Sequence, residues 1–487
     1  MLSYLEKIRQ TAKIDIYSNV NATLISNPFM TDFPISFLKS QSQPKNKLKL
    51  FLISSLKFYA RSIIYFCSFL QIFFYHKFLF NKSKFENDSD QIVLDIFIDV
   101  ERVCKSNKFE EPYFSKLYPI LDLKQKKYVF LPRLLNVSKN PVKANRQLKE
   151  FYKIINKNPA NFIFEFDLLS AADFWKIICV VSAYPFKTLN LIQEECAESD
   201  IIFNTNLLKD ISKVGLDVFT RYIFGQNLSR LKYITKVYSW SEFQDIERSF
   251  NFGIQESGEI LVIACQFLIS SKIFFHLPVR EIDVIMRCAP DKVLVNGPQN
   301  LRKCKGIKYD LGVSLRYNEL FKFSGISKGD IIIVLGSFHI AATRHSLKLA
   351  NSIGNYLFKG HPDVRNSLFS EELGNNLIST DKTIYDLFCC SNTIITSASG
   401  TAIEAVACGL SVIIVAKEEE LISNPLIEFG KGKIWDLVFT EDEIKIKYQF
   451  LSNFRKNNPE EIKEIATWYK CNFFVEPTET NILKVFS

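Results

Sequence analysis

The sequence predicts an α/β protein in which strands alternate with helices, and three observations carry this prediction. From about residue 301, apolar strand-like runs and helix-like stretches alternate as is typical of a parallel, doubly wound sheet. The 487 residues, of which 47% are hydrophobic and 23% charged, suffice for two or three domains with full cores. Glycine is absent before Gly215, and twelve of the seventeen glycines lie beyond residue 300. Because glycine permits tight turns and close backbone approach, phosphate-handling loops are expected in the second half.

Composition and charge narrow the classes of function and location. The net charge of +9 fits a membrane surface or an anionic substrate, and it lacks the dense basic stripe of nucleic-acid-binding proteins. The eleven cysteines include no CxxC pair, and most sit in apolar runs, so we expect buried thiols in a reducing compartment. The N-terminal residues lack an apolar h-region, which predicts no signal peptide and a cytoplasmic location.

Residues 45–84 combine aromatic and apolar residues with basic flanks. Only fourteen uncharged residues separate Arg61 from His76, fewer than the roughly twenty of a membrane-spanning helix. Basic residues flank or interrupt the run: Lys45, Lys47, Lys49, Lys57, Arg61, Lys77, Lys82 and Lys84. Two interpretations stay open. The segment is either a helix lying on an anionic membrane surface, with the protein peripheral on the inner membrane, or a helical hairpin buried in the first domain.

The remaining chain is read as two α/β regions and a helical tail. Residues 1–300 are predicted to form the first domain, with strand-like runs at 91–100, 126–132, 160–169, 198–204, 259–268 and 291–297. Residues 301–458 are predicted to form the second, with strands at 331–336, 355–360, 392–396 and 410–416. Residues 459–487 are predicted to be terminal helices.

Small and polar residues follow three of the strands in the second domain. In an open parallel sheet, ligands bind where the carboxyl ends of strands face the following helices, so these loops should share one edge. Hydroxyls, backbone amides and helix N-termini at such an edge suit a phosphate or diphosphate. A lone SxSG segment is more often a helix cap, and the joint placement of three loops is the stronger signal. The residues are Gly336, Ser337, Lys359, Gly360, His361, Pro362, Ser397, Ser399, Gly400 and Thr401.

The pair KGHP (359–362) and SASGTAIEAVACGLSVIIV (397–415) resembles the donor-binding domain of GT-B glycosyltransferases. More narrowly, it is similar to bacterial enzymes of surface-polysaccharide assembly with His-Pro and Ser-rich motifs, including sialyl-, polysialyl- and Kdo-transferases. The segments 283–298 and 312–320 resemble the inter-domain region of such proteins, as does SEFQDIER (241–248), which keeps Glu242, Glu247 and Arg248 but lacks the usual Asn and Trp. The resemblance covers residues 235–440.

The resemblance implies a GT-B fold, with two Rossmann-like domains facing a cleft and the acceptor on the N-terminal side. It implies a metal-independent glycosyltransferase that moves a sugar from a nucleotide-sugar donor, with a CMP-sugar such as CMP-Kdo or CMP-sialic acid favoured. The acceptor is expected to be a surface glycan or glycolipid of capsule or lipopolysaccharide biosynthesis. His361, Pro362, Ser397, Ser399, Gly400 and Thr401 are implied to hold the nucleotide phosphate, and Glu404 the ribose or sugar hydroxyls. No cofactor and no nucleic-acid partner are expected.

The catalytic base is expected to be a carboxylate at the domain cleft, because the acceptor hydroxyl must lose a proton. Glu242 and Asp167 are the chosen candidates, and Glu165, Asp99 and Glu101 are further carboxylates at strand ends. Asp88-Ser89-Asp90 matches the DxD of metal-dependent transferases, but it precedes a strand and is read as a solvated turn.

Three alternatives accompany the transferase hypothesis. The donor could be a UDP-sugar. The enzyme could be a nucleotide-sugar epimerase of GT-B-like fold, which has no need of the basic, Phe-rich segment at 45–84. The chain could also be a scaffold of a capsule or lipopolysaccharide assembly complex with a degenerate nucleotide site, although the intact KGHP and SASGT motifs argue against this.

Overall fold

The computed structural model describes residues 2–11, 14–28, 30–31, 46–81, 91–109, 111–323, 329–362, 364–379, 382–397, 399–418, 420 and 422–486. The chain divides into two compact units. The first unit comprises residues 1–267, 275–295 and 302–310, and the second comprises residues 268–274, 296–301 and 311–487. The terminal helices therefore belong to the second unit.

The first unit is built on a six-stranded sheet with the strand order β2-β1-β3-β4-β5-β6. Strands β1 to β5 run parallel. The strands are β1 Gln91–Asp99, β2 Tyr128–Leu135, β3 Ile234–Trp240, β4 Leu261–Gln266, β5 Lys292–Val295 and β6 Lys308–Leu311. The helices are α1 Leu2–Thr11, α2 Ile16–Ser26, α3 Lys47–Leu79, α4 Val100–Ser106, α5 Tyr118–Leu123, α6 Pro141–Lys157, α7 Glu165–Leu168, α8 Ala171–Leu189, α9 Glu198–Asp210, α10 Leu216–Leu228, α11 Asp245–Ser257 and α12 Glu281–Ile285.

The second unit is built on a six-stranded sheet, all parallel, with the order β12-β11-β10-β7-β8-β9. The strands are β7 Ile331–Leu335, β8 Leu357–Lys359, β9 Leu377–Ile378, β10 Ser391–Thr396, β11 Ser411–Val415 and β12 Trp435–Val438. The helices are α13 Asn318–Phe321, α14 Ile340–Ala350, α15 Ser370–Leu373, α16 Ile384–Cys389, α17 Thr401–Ala407, α18 Glu441–Asn457, α19 Pro459–Phe473 and α20 Glu479–Phe486.

Burial on both faces explains the apolar runs in the central strands of the second sheet. Ile394 of β10 packs into the core cluster that contains the α17 and α19 side chains. Its neighbour Ile395 packs into the opposite cluster, with α14 and α18. A parallel sheet covered by helices on both faces needs apolar residues at every strand position, which is why these strands were predictable.

The two units confirm the predicted fold class, two Rossmann-like α/β domains as in GT-B proteins. Two predicted strands are wrong. Residues 198–204 begin helix α9, where the Asp200 carboxylate accepts hydrogen bonds from the amides of Cys196 and Ala197. Residues 160–169 form one isolated bridge from Phe162 to Phe130, followed by the short helix α7.

Helix α3 is one continuous helix of 33 residues, about 50 Å long at 1.5 Å per residue, so the hairpin interpretation is wrong. One side of it docks on the first unit along its whole length. The Phe58 ring is fully buried, the Tyr59 hydroxyl donates to the Ser182 carbonyl at 2.7 Å, and His76 Nε2 lies 3.0 Å from Asp167 Oδ1. Among the helices of the described ranges, α3 is the one with the length and apolar composition to cross a membrane.

Candidate functional site

The carboxyl edge of the second sheet has a topological switch point between β7 and β10. Counted along the unit, the sheet order is 3-2-1-4-5-6, the order of dinucleotide-binding domains. The connections after strands 1 and 4 leave toward opposite sides, and this opens a crevice between them. Gly336 and Ser337 follow β7, and Ser397 to Thr401 follow β10. Two of the three predicted loops therefore flank the switch point, and the third follows the adjacent strand β8.

The loops after β7 and β8 are in direct contact. The Gly336 amide donates to the Lys359 carbonyl at 2.8 Å. A Cβ atom at position 336 would lie 3.1 Å from the His361 nitrogen and 3.2 Å from the Gly360 Cα. Glycine at position 336 thus lets the two loops approach closely, and the backbone of the KGHP segment lies against the β7 loop.

Ser337 holds the start of helix α14. Its hydroxyl accepts from the His339 amide at 3.1 Å, and its own amide donates to the Thr343 hydroxyl at 2.8 Å. Between Ser337 and His339, the Phe338 side chain is 60% exposed, with its ring centroid 5.9 Å from that of His361. Phe338 was not among the predicted site residues. The signal in the sequence was an aromatic residue directly after the Gly-Ser pair that ends a strand.

The serine-rich loop contains one buried hydroxyl without a hydrogen-bond partner. Ser397 Oγ is buried and has no hydrogen bond within the described part of the chain. Ser399 acts as a helix cap, with its hydroxyl accepting from the Thr401 amide at 3.2 Å. A Cβ atom at Gly400 would lie 2.7 Å from the Ile269 carbonyl oxygen, so this loop packs tightly on the backbone of its own unit. Because buried polar atoms are rarely left unpaired, Ser397 is the hydroxyl with capacity for a ligand.

Lys359 and Pro362 complete the KGHP segment at the surface. The Lys359 ammonium donates to the Lys382 carbonyl at 2.8 Å, and Pro362 is exposed. A backbone carbonyl is uncharged, so this hydrogen bond does not neutralise the ammonium. Lys359 therefore adds positive charge near the carboxyl edge of the second sheet.

Glu404 lies in the first turns of α17 and is paired with a tyrosine. The Tyr385 hydroxyl donates to Glu404 Oε2 at 2.5 Å. Burial raises the pKa of Glu404, while the Tyr385 hydrogen bond and the positive charge of Arg316 act in the opposite direction. A carboxylate held in this way has a fixed orientation.

The predicted base candidates lie in the first unit with different surroundings. Asp167 Oδ1 lies 3.0 Å from His76 Nε2, and Asp167 Oδ2 accepts from the Phe164 amide at 2.9 Å. Glu242 is half-buried two residues after the end of β3 and accepts from the Gln244 side chain at 2.9 Å.

The other carboxylates at strand ends are engaged in local contacts. Glu165 accepts from Arg221 at 3.1 Å, and burial raises its pKa. Asp99 caps α4 by accepting from the Arg102 amide, and Glu101 pairs with Lys105 at 2.6 Å.

The two other residues that SEFQDIER shares with the family motif form buried ion pairs, Glu247 with Arg133 and Arg248 with Asp283. These two residues thus hold the first unit together.

The described residues contain no group of three or more His, Cys, Asp or Glu side chains arranged to hold a metal ion. Asp88 and Asp90 lie outside the described residues. The alternative DxD site therefore stays a hypothesis.

Comparison with known proteins gives structural likeness at low identity. No family model matches the chain, and no curated protein does. UDP-GlcNAc 2-epimerase from Neisseria meningitidis, solved with UDP-GlcNAc, aligns with a TM-score of 0.44 and 9% identity over 81% of this chain and 99% of its own. MurG from Acinetobacter baumannii aligns with a TM-score of 0.42 and 10% identity over 81% of this chain and 99% of its own. The wall teichoic acid polymerase TagF aligns with a TM-score of 0.39 and 9% identity over 89% of this chain and 96% of its own. The fold assignment accordingly comes from the two sheets themselves.

Proposed function

We propose that the chain is a glycosyltransferase that moves a sugar from a nucleotide-activated donor to a surface glycan or lipid-linked acceptor at a membrane. The observation that carries the proposal is the coincidence of the Gly336-Ser337 and Ser397–Thr401 loops with the switch point of the second sheet. Open α/β sheets bind their ligands at this position.

The edge offers the groups that a nucleotide phosphate requires. Ser397 Oγ has no hydrogen-bond partner among the described residues, and Lys359 brings a positive charge to the end of β8. His361 lies beside the Gly336-Ser337 loop, and the exposed Phe338 ring offers a surface for a flat base. Preorganised donors of this kind stabilise the negative charge that develops on a leaving nucleotide.

The acceptor hydroxyl must lose a proton to a base, and Glu242 is our preferred candidate for this role. The first sheet has the order 2-1-3-4-5-6, so its own switch point lies between β1 and β3. Glu242 comes two residues after β3, and it is half-buried and accepts a hydrogen bond from the Gln244 side chain. Asp167 stays a candidate, with its oxygens in contact with His76 and the Phe164 amide.

The outward surface of α3 supports a membrane-bound site of action, with the protein peripheral on an anionic membrane. Among its exposed residues are Leu48, Leu52, Leu56, Ile63, Ile64, Phe74 and Phe78, each at least half exposed. The exposed cations Lys49, Lys57, Arg61 and Lys77 alternate with them. An apolar surface with basic residues fits the interface of an anionic bilayer. Since α3 docks along its whole length on the first unit, we infer that it lies on the membrane rather than across it.

The same surface favours the transferase over an epimerase. An epimerase acts on a nucleotide sugar alone, and nothing in that reaction calls for an apolar, cationic face. A transferase with a lipid-linked acceptor needs to work where its acceptor is embedded.

A thermal-shift panel with CMP, CDP, UDP and GDP tests the donor site. The resemblance at KGHP and SASGT favours CMP, and the proposal expects stabilisation by one nucleotide through mass action. Stabilisation by UDP alone would replace CMP-sugar by UDP-sugar as the donor. The absence of stabilisation by any of the four would favour the scaffold.

A further inference from the structure

A cavity of about 490 Å³ lies within the first unit, away from the predicted nucleotide loops in sequence. Helix α3, the chain just after β2 and the start of α10 form its walls. Its volume is in the range of small-molecule binding sites. None of the predicted nucleotide-binding residues lines it, and of the candidate catalytic carboxylates Glu165 does.

The inner wall contains two arginines whose charges are already balanced. Arg221 Nη2 lies 3.0 Å from Asp95 Oδ2, and Arg133 Nε lies 3.2 Å from Asp95 Oδ1. Arg133 also pairs with Glu247, and Arg221 with Glu165. Since all these groups are hydrogen-bonded or ion-paired, they form a rigid polar wall rather than a free anion site.

Two cations in the lining form no close ion pair with a carboxylate among the described residues. Arg61 is exposed and donates to the carbonyls of Ser212 and Lys213, at 3.3 and 3.2 Å. Lys139 is exposed and forms no ion pair within the described ranges. Lys139 is unpaired in the described chain, and Arg61 forms no close ion pair although its charge acts on Asp217, so this side of the cavity suits a phosphate.

One carboxylate in the lining is open to the cavity. Asp217, in the first turn of α10, lines the cavity and is exposed. Desolvation raises the pKa of Asp217, whereas backbone hydrogen bonds and then the positive charge of Arg61 act in the opposite direction. A carboxylate that is accessible in a deep cavity is a good acceptor for a ligand hydroxyl.

The third component of the lining is apolar and belongs to α3. Tyr65, Phe69 and Ile72 line the cavity. Tyr65 is also 39% exposed, and it follows Ile63 and Ile64 of the outward surface. The apolar wall is therefore continuous with the surface that we assign to the membrane.

We infer that this cavity binds the headgroup of a membrane lipid that carries a phosphate and free hydroxyls. The phosphate binds near Arg61 and Lys139, a hydroxyl donates to Asp217, and the first lipid carbons contact Tyr65 and Phe69. The inference rests on the proposed function in two respects: that the protein acts at a membrane, and that the bound lipid is the acceptor of the sugar.

Vesicle flotation of the full chain tests the inference with two lipids of equal charge. Because the two lipids have the same net charge at neutral pH, non-specific electrostatic attraction is the same for both. Phosphatidylglycerol has headgroup hydroxyls and phosphatidylserine has none. At equal anionic fraction and salt, we expect about tenfold tighter binding to phosphatidylglycerol, the size of one hydrogen bond to a charged group. Free glycerol phosphate at millimolar concentration should compete weakly, because it lacks the apolar part.

Matched variants identify the cavity as the source of the preference. Asp217→Asn and Ser68→Trp, the latter filling the cavity from α3, should bring the lipid ratio near one while keeping phosphatidylserine binding. Asp442→Asn, an exposed carboxylate in the second unit, and Ala60→Trp, on α3 outside the lining, should keep the preference.

Three outcomes would overturn the inference: equal wild-type binding to both lipids, a preference that survives Ser68→Trp, or free glycerol phosphate binding as tightly as vesicles. A failure of the donor-site proposal is a separate result, because nucleotide stabilisation is measured without lipid. If the wild-type protein binds neither type of vesicle, the membrane role of α3 is refuted, and this inference is refuted with it.

Discussion

The outward surface of α3 allows a quantitative prediction for membrane binding. Leu56 and Ile64 are 69% and 68% exposed on this helix. Full burial of such a side chain is worth about 1.5–3 kcal/mol, so moving the exposed part out of water is worth roughly 1–2 kcal/mol each. The double variant Leu56→Gln/Ile64→Gln should therefore bind anionic vesicles about 30- to 1,000-fold more weakly, which corresponds to roughly 2–4 kcal/mol.

The chain offers a matched control with the same chemistry elsewhere. Leu123 and Leu377 are 75% and 72% exposed but do not belong to α3. Leu123→Gln/Leu377→Gln should bind vesicles as the wild type does. Co-flotation at low and high salt measures both variants, and salt should weaken wild-type binding because the cations of α3 are screened over about 10 Å at 0.1 M. Equal loss in the two double variants, or no loss in either, would refute the assignment of this surface to the membrane.

Three further predictions concern the donor site, metal dependence and pH. His361→Ala should lower nucleotide affinity about ten- to a hundredfold in a folded protein, the effect of one charge-assisted hydrogen bond, and calorimetry with the stabilising nucleotide measures it. Transfer activity should survive EDTA because Lys359, helix N-termini and hydroxyls are expected to neutralise the phosphate. Loss of activity that magnesium restores would instead indicate Asp88 and Asp90 as metal ligands. Burial and the neighbouring carboxylates raise the pKa of Asp245 to about 7, above its unfolded value, so its contribution to stability should fall as pH rises from about 4 to 7. Asp245→Asn should flatten this fall in thermal melts of the protein, and an unchanged pH profile would contradict the assignment.

The central strands of the second sheet were predictable because they are buried on both faces, whereas the exposed two-residue strand β9 was not predicted. Ile332, Ile333 and Val334 alternate between the two core clusters, so the run is apolar at every position and easily recognised. Strand β3 was missed because Lys236 and Ser239 interrupt its pattern. In that strand the Ser239 hydroxyl is buried and donates to Asp95 at 2.7 Å, a long-range contact that no local pattern reveals.

The predicted nucleotide site could be located from the residues that follow strands, since parallel strands end at one edge. The individual roles could not. Ser337 and Ser399 turn out to support their own loops, and Ser397 alone among these serines is left without a hydrogen bond in the described chain. The cavity of the first unit was not predictable, because Arg61, Lys139 and Asp217 lie far apart in sequence and meet only through packing.

Hydrogen exchange of the full chain, with and without the nucleotide that stabilises it, tests the central claim most directly. When the nucleotide is bound, we expect slower amide exchange in the loops that follow β7, β8 and β10, at residues 336–339, 359–362 and 397–401. We expect no slowing in the cavity segments 61–72 and 217–221 under the same conditions. Slower exchange confined to the first unit, or unchanged exchange in all three loops at saturating nucleotide, would contradict the assignment of the donor site.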